Sequence, residues 1–137
     1  MDCEGLAVEE IGAARKTVLV QAYSFTSPAI AKALVEAAKR GVDVRVILDK
    51  SQRSEKYSGA TFLRNAGIPT VIDDKPAIAH NKVMIIDNQV VITGSFNYTK
   101  SAQERNAENL LVLRGDLQLV QAYTENWRRR WAVSVPL

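Results

Sequence analysis

His80, Lys82, Ser95 and Asn97 are the side chains best suited to chemistry in this sequence, and they come as two pairs whose members are two residues apart. An imidazole acts as nucleophile or proton donor near neutral pH, because its unperturbed pKa is about 6.5. An ammonium offsets negative charge, while a hydroxyl and a carboxamide supply hydrogen bonds. In extended chain, residues two apart share a face. Apolar runs at 82–87 and 90–94 read as a hairpin turning on Asn88-Gln89. That turn pairs Asp87 with Val90, and the ladder then extrapolates to Lys82 opposite Ser95 and His80 opposite Asn97. Asp87 has the other parity, which gives it a structural role beside a nearby cation or in the turn. Gly94 closes the second arm and is also read as structural.

The rest of the chain alternates between helical and extended patterns. Residues 6–16 read as a helix, and 17–25 are apolar at both parities, as in a strand covered on both faces. Ser27-Pro28 supplies an N-cap and a first helical residue, and Gly41 closes the helix that follows. With a strand at 42–48, this is a β-α-β unit, which favours a parallel pair with a right-handed crossover. A polar loop at 49–58, a short helix ending near Gly67 and a strand at 69–72 precede the hairpin. A strand at 108–113 and a helix at 116–131 follow it, the helix burying Leu117, Val120, Tyr123 and Trp127. The expected architecture is one α/β domain over 1–137: a mixed, mainly parallel central sheet with helices on both faces.

Composition narrows the function classes. With 137 residues, 47% hydrophobic and 24% charged, the chain resembles an ordinary globular domain, and no apolar run nears the roughly 18 residues of a membrane span. One cysteine and one histidine exclude an intrachain disulfide and count against a structural zinc site. Cys3 reads as a spectator thiol near a loose terminus. The net charge of +3 permits a nucleic-acid partner without demanding one. The acidic, polar start is unlike a secretory signal, which fits either a cytoplasmic protein or a mature domain whose signal has been removed.

The run His80-Asn81-Lys82, four residues, Asp87, six residues, then Gly94-Ser95-Phe96-Asn97 resembles the HxK(x)4D(x)6GSxN signature of the phospholipase D superfamily. The stretches AYSFT from Ala22, GVDVRVILD from Gly41 and AGIP from Ala66 are similar to its small single-motif bacterial endonucleases. Such relatives carry an extra strand ahead of the first helix; here only Asp2-Cys3-Glu4-Gly5 precedes it, so the expected sheet lacks that edge strand or the strand was trimmed away. The resemblance implies a phosphodiesterase in which one histidine attacks phosphorus, a second protonates the leaving oxygen, and water releases the product, with no metal ion and no cofactor. It also implies that Glu108 hydrogen-bonds a motif histidine, and it suggests a periplasmic or secreted protein whose signal has been removed.

The mechanism wants two imidazoles and the chain has one, so a homodimer with its two-fold axis through the site is expected. The expected substrate is DNA, with RNA as a further one, cleaved without sequence preference. The alternatives are a lipid phosphodiesterase and a catalytically idle nucleic-acid-binding module. Lys50, Arg53 and Lys56 could hold a nucleic-acid backbone, or simply form a solvated loop. Arg128 to Arg130 are expected to complement the end of the last helix, and Asp73-Asp74 to form a turn rather than a metal pair. Trp127, Trp131, Tyr23 and Phe25 read as packing residues, with Tyr23 near enough to a strand end to border the site.

Overall fold

The computed structural model describes residues 2–54 and 59–137. Asp2 opens α1 (Cys3–Gly12) by accepting from the N–H of Gly5. After β1 (Thr17–Ala22), the Ser27 hydroxyl accepts from the N–H of Ile30, with Pro28 as the first residue of α2 (Pro28–Lys39). Gly41, at φ 95°, takes the left-handed conformation that ends the helix, and β2 (Asp43–Asp49) runs into a 3₁₀ turn at Lys50–Arg53. Then come α3 (Ala60–Asn65), β3 (Thr70–Asp73), β4 (Lys82–Ile86), β5 (Val90–Gly94), α4 (Lys100–Arg105), β6 (Leu110–Arg114), α5 (Leu117–Val133) and β7 (Val135–Pro136). The sequence had indicated neither α4 nor β7.

The seven strands form one sheet in the order β6-β5-β4-β1-β2-β3-β7. It is mixed, but not mainly parallel as expected. Only β1–β2 and β2–β3 are parallel, and the other four pairs are antiparallel. The helical crossovers α2 and α3 return the chain in the same sense only as far as β3. Beyond it the chain passes β2 and β1 to reach β4, which is antiparallel to β1, and β5 and β6 then reverse direction between neighbours. Among the described residues no strand precedes α1, and the sheet edges are β6 and β7.

Both faces are covered. Val18, Val20, Val46, Leu48, Met84 and Ile92 pack into the core that also holds Ile11 of α1, Leu34 of α2 and Leu63 of α3. The alternate residues Leu19, Ile47, Val83, Ile85 and Val91 meet Val120 and Trp127 of α5. This is the two-sided burial implied by apolar residues at both parities. Trp131 stacks on Trp127 at 5.1 Å between ring centroids. Leu117, expected to be buried, is 62% exposed, because the buried residues of α5 begin only at Val120. Cys3 is 2% exposed inside α1, so it does not belong to a loose end; the Asp2 cap starts the helix three residues before the expected position.

The hairpin register differs by one residue from the expected one. Ile86, not Asp87, pairs with Val90. Asp87 and Asn88 both have positive φ, 56° and 57°, and the N–H of Gln89 donates to the carbonyl of Ile86 at 3.0 Å. The turn is therefore centred on Asp87-Asn88, two residue types that tolerate left-handed backbone, and Gln89 is left over between turn and ladder.

Candidate active site

Lys82 pairs with Ala22 and Gly94 with Leu110, so the start of β4 and the end of β5 lie beside the carboxyl ends of the parallel strands β1 and β2. Open α/β sheets bind ligands at this end. The observed register, continued by one step, sets Lys82 against Gly94 rather than Ser95. The ladder alone therefore does not bring the two polar pairs together. Gly94 instead sets Ser95 against the segment that leads into β6. It has φ 148°, and a Cβ there would collide with the carbonyl oxygen of Asn109. This close approach lets the Ser95 N–H donate to Asn109 O at 3.1 Å, while the Asn109 N–H donates to Ser95 Oγ at 3.0 Å.

Held in this way, Ser95 Oγ donates to Glu108 Oε1 at 2.6 Å, and Asn106 Nδ2 donates to Glu108 Oε2 at 3.0 Å. The hydrogen bonds from Ser95 and Asn106 keep the Glu108 carboxyl below its ordinary range, against a small effect of burial and helped by the Lys82 charge. Lys82 Nζ donates to the His80 carbonyl at 2.9 Å and lies 3.0 Å from Nδ1 of the same ring. An ammonium has no acceptor, so the ring nitrogen it bonds must offer its lone pair. Burial draws the Lys82 ammonium below the usual lysine range, with the Glu108 charge opposing. The Tyr23 ring flanks His80 at 4.7 Å between centroids, and Lys82 Nζ lies 5.9 Å from the centre of that ring. Tyr23 therefore borders the site as well as packing.

The structure thus joins His80 to Lys82 and Ser95 to Glu108, with the Lys82 and Glu108 charges close enough to act on each other. Among the described residues of one chain the Glu108 carboxylate bonds to Ser95 and Asn106 rather than to His80, which leaves the ring of a symmetry mate as the other expected contact. Asn97 is half-buried on the same segment as Ser95, and its buried Oδ1 has no hydrogen bond among the described residues. Asp87 lies at the far end of the hairpin and accepts from the backbone N–H groups of Arg15, Lys16 and Thr17. Its main partners are amides, and it stands in the hairpin turn itself.

Lys50 and Arg53 are exposed on the 3₁₀ turn. Lys50 Nζ is 3.4 Å from the carbonyl of Pro76, and Arg53 is 4.0 Å from Asp74. Lys56 lies outside the described residues. Asp73 and Asp74 do not share a metal-like pocket. Asp73, 1% exposed, takes two hydrogen bonds from Arg130, while Asp74 pairs with Lys75. Arg130 is therefore engaged with β3, beyond its expected effect on the helix end. The sequence had not singled out Asn106, which steadies Glu108, or Asp49, whose carboxylate accepts from the N–H of Ala79 at 2.7 Å. The position of Asp49 at the carboxyl end of a parallel strand was the available signal.

This fold and the HxK…GSxN constellation at its ligand-binding end define a phospholipase D-like domain. Residues 7–131 match the family described as "Cardiolipin synthase, PLD-like domain", and the chain belongs to the phospholipase D superfamily. It is 43% identical over 130 residues to a phospholipase D of Rickettsia bellii, an alignment covering 95% of this chain and 64% of that protein. The chain therefore spans less than two thirds of that relative. Among solved structures it is similar to Nuc from Salmonella typhimurium, a phospholipase D family member, with a TM-score of 0.93 and 40% identity over 97% of this chain and 89% of that one. NucT from Helicobacter pylori matches with a TM-score of 0.88 and 27% identity, covering 99% of this chain and 91% of that one.

Proposed function

We propose that the domain hydrolyses phosphodiester bonds in nucleic acid, DNA and also RNA, with little sequence preference. The observation that carries this reading is the exposed His80 imidazole with the Lys82 ammonium 3.0 Å from Nδ1, at the sheet end that also holds the Ser95–Glu108 pair. A phosphodiester is anionic and weakly electrophilic, so a catalyst must offset charge while supplying a nucleophile and a leaving-group acid. His80 attacks phosphorus and forms a phosphorus–nitrogen bond as the bond to the leaving oxygen breaks. An imidazolium gives that oxygen its proton. Water, giving its proton to the imidazole that had protonated the leaving oxygen, then attacks the phosphohistidine; the phosphorus–nitrogen bond breaks, His80 is restored and a phosphomonoester leaves. Lys82 and Asn97 serve the non-bridging oxygens, and Ser95 links that region to Glu108. Lys50 and Arg53 would meet the flanking phosphates.

One chain has one imidazole, so the proton donor is His80 of a second copy across a two-fold axis through the site. In that arrangement Glu108 would be available to the second copy's ring. Sedimentation and dilution series check this: specific activity should fall as the protein dissociates, whereas a fully active monomer would refute the shared site.

Plasmid nicking in excess EDTA, with His80→Ala in parallel, tests the main reading. Activity should survive the chelator and vanish in the variant; an active variant would overturn it. A second reading, lipid phosphodiester hydrolysis, is favoured by the names phospholipase D and cardiolipin synthase carried by the Rickettsia relative and the matching family. Cardiolipin and phosphatidylcholine vesicles assayed beside the plasmid separate the two, and cleavage of lipid alone would replace the nucleic-acid reading.

A further inference from the structure

Asp49, the last residue of β2, is 3% exposed, and its carboxylate has two distinct tasks. Oδ2 accepts from the N–H of Ser51 at 3.0 Å and so caps the 3₁₀ turn. Oδ1 accepts from the N–H of Ala79 at 2.7 Å, thirty residues further along the chain. Ala79 is itself buried and immediately precedes His80. Among the described residues no lysine or arginine forms an ion pair with Asp49. Burial pushes its carboxyl up, but the amides of Ala79, Ser51 and Lys50 and the Ser51 hydroxyl more than compensate and keep it below the ordinary range. Burying a carboxylate is costly unless its oxygens are satisfied. Capping the turn needs only one oxygen, and serine or asparagine would do it. The second oxygen reaches a separate segment, the one that carries the proposed nucleophile.

The same turn makes a second connection. Gln52, also buried, accepts from the N–H of Phe25 at 3.2 Å. Phe25 follows by two residues Tyr23, whose ring lies against His80. The turn bearing Lys50 and Arg53 is therefore tied to the backbone beside His80 by Asp49 and to the segment behind the Tyr23 ring by Gln52.

We propose that Asp49 is a positioning residue for His80, fixing the backbone from which the imidazole projects through its hydrogen bond to the Ala79 N–H. The proposal rests on the reading of His80 as nucleophile. It does not make Asp49 a group that touches substrate.

The test uses Asp49→Ser, which keeps a capping oxygen for Ser51 but is too short to reach Ala79, and Asp49→Ala, which removes both acceptors. Because the chain has a single histidine, imidazole NMR signals report on His80 alone. Both variants should fold with a wild-type circular dichroism spectrum and show displaced His80 ring signals. Their kcat in a plasmid-nicking or p-nitrophenyl phosphodiester assay should fall about 10–100-fold, by analogy with groups that orient a metal-bound histidine, with KM nearly unchanged. If either variant folds with wild-type kcat and unmoved His80 signals, the proposal is overturned. His80→Ala, assayed alongside, keeps the two ideas apart. An active His80→Ala would defeat the nucleophile reading, while the ring signals of the Asp49 variants would still decide whether Asp49 holds the imidazole.

Discussion

Ser95 Oγ and Glu108 Oε1 lie 2.6 Å apart, the hydroxyl donating to the carboxylate, at the sheet end where Lys82 meets His80. Hydroxyl–carboxylate bonds of this length are charge-assisted and stronger than neutral ones. Removing the donor by Ser95→Ala should lower kcat about tenfold or more, from a loss of about 1.5–3 kcal/mol. It also removes the largest influence depressing the Glu108 carboxyl, whose pKa should then rise towards its ordinary value. If activity needs Glu108 ionised, the acid limb of the pH–rate profile moves to higher pH in the variant. Steady-state kinetics across the acid range check both effects; an unchanged limb would separate Glu108 from catalysis.

Gly94 is the backbone position on which that contact depends. Its φ of 148° and the proximity of Asn109 O leave no room for a Cβ. Gly94→Ala should cost about 1–3 kcal/mol of stability, the typical cost of a non-glycine residue in a strained region. It should also lower the activity of the fraction that remains folded, because Ser95 is displaced. Urea unfolding, with rates corrected for the folded fraction, measures the two separately.

Asp87 belongs to the motif but lies far from its polar end. Burial raises its carboxyl, yet the amides of Lys16, Thr17 and Arg15, together with the Lys16 charge, keep it below the ordinary range. A depressed folded-state pKa gives stability that is present above the unfolded value and lost as pH falls through the folded one. Asp87→Asn should therefore destabilise by about 1–3 kcal/mol near neutral pH, and the gap from the wild type should narrow in acid. Denaturant midpoints at pH 7 and pH 3 would show it. Turnover per folded molecule should change little.

Asp73 and Arg130 tie α5 to β3 through two hydrogen bonds, with the carboxylate 1% exposed and the arginine partly open to solvent. Arg130→Met leaves a buried carboxylate without its partner and should cost about 2–3 kcal/mol, less than for a fully buried pair because the arginine is partly solvated. Asp73→Asn with Arg130→Met should recover part of that loss. A double-mutant cycle in urea measures the coupling.

Replacing Lys50 or Arg53 with alanine should weaken nucleic-acid binding uniformly across sequences and reduce the salt dependence of log K by about one per lost phosphate contact. Filter binding or anisotropy with His80→Ala protein, from 50 to 200 mM salt, on the order of the usual range for such titrations, checks it. An unchanged slope would return the turn to the status of a solvated loop.

Local rules were enough for much of this protein. Two-sided apolar runs in β1 and β2, Ser27-Pro28, Gly41 and the hairpin arms depend on neighbouring residues and backbone preference, and their placement follows from the sequence. The spacing of His80, Lys82, Ser95 and Asn97 likewise marked the candidate site, because residues two apart in extended chain share a face. What surrounds each pair was decided by tertiary structure. Whether the turn centres on Asp87-Asn88 or Asn88-Gln89 changes the register by one residue, and Asp87 is held there by the amides of a loop about seventy residues earlier in sequence. The surroundings of Ser95 then depend on Gly94 passing close to Asn109 and on Glu108 being brought to Ser95 by the β5–β6 pairing, and the backbone before His80 meets Asp49 at Ala79. The chemistry of the HxK…GSxN group was legible in sequence because residue type and spacing are local. Its geometry was not, because each contact that sets it joins segments through packing that no short window of sequence contains.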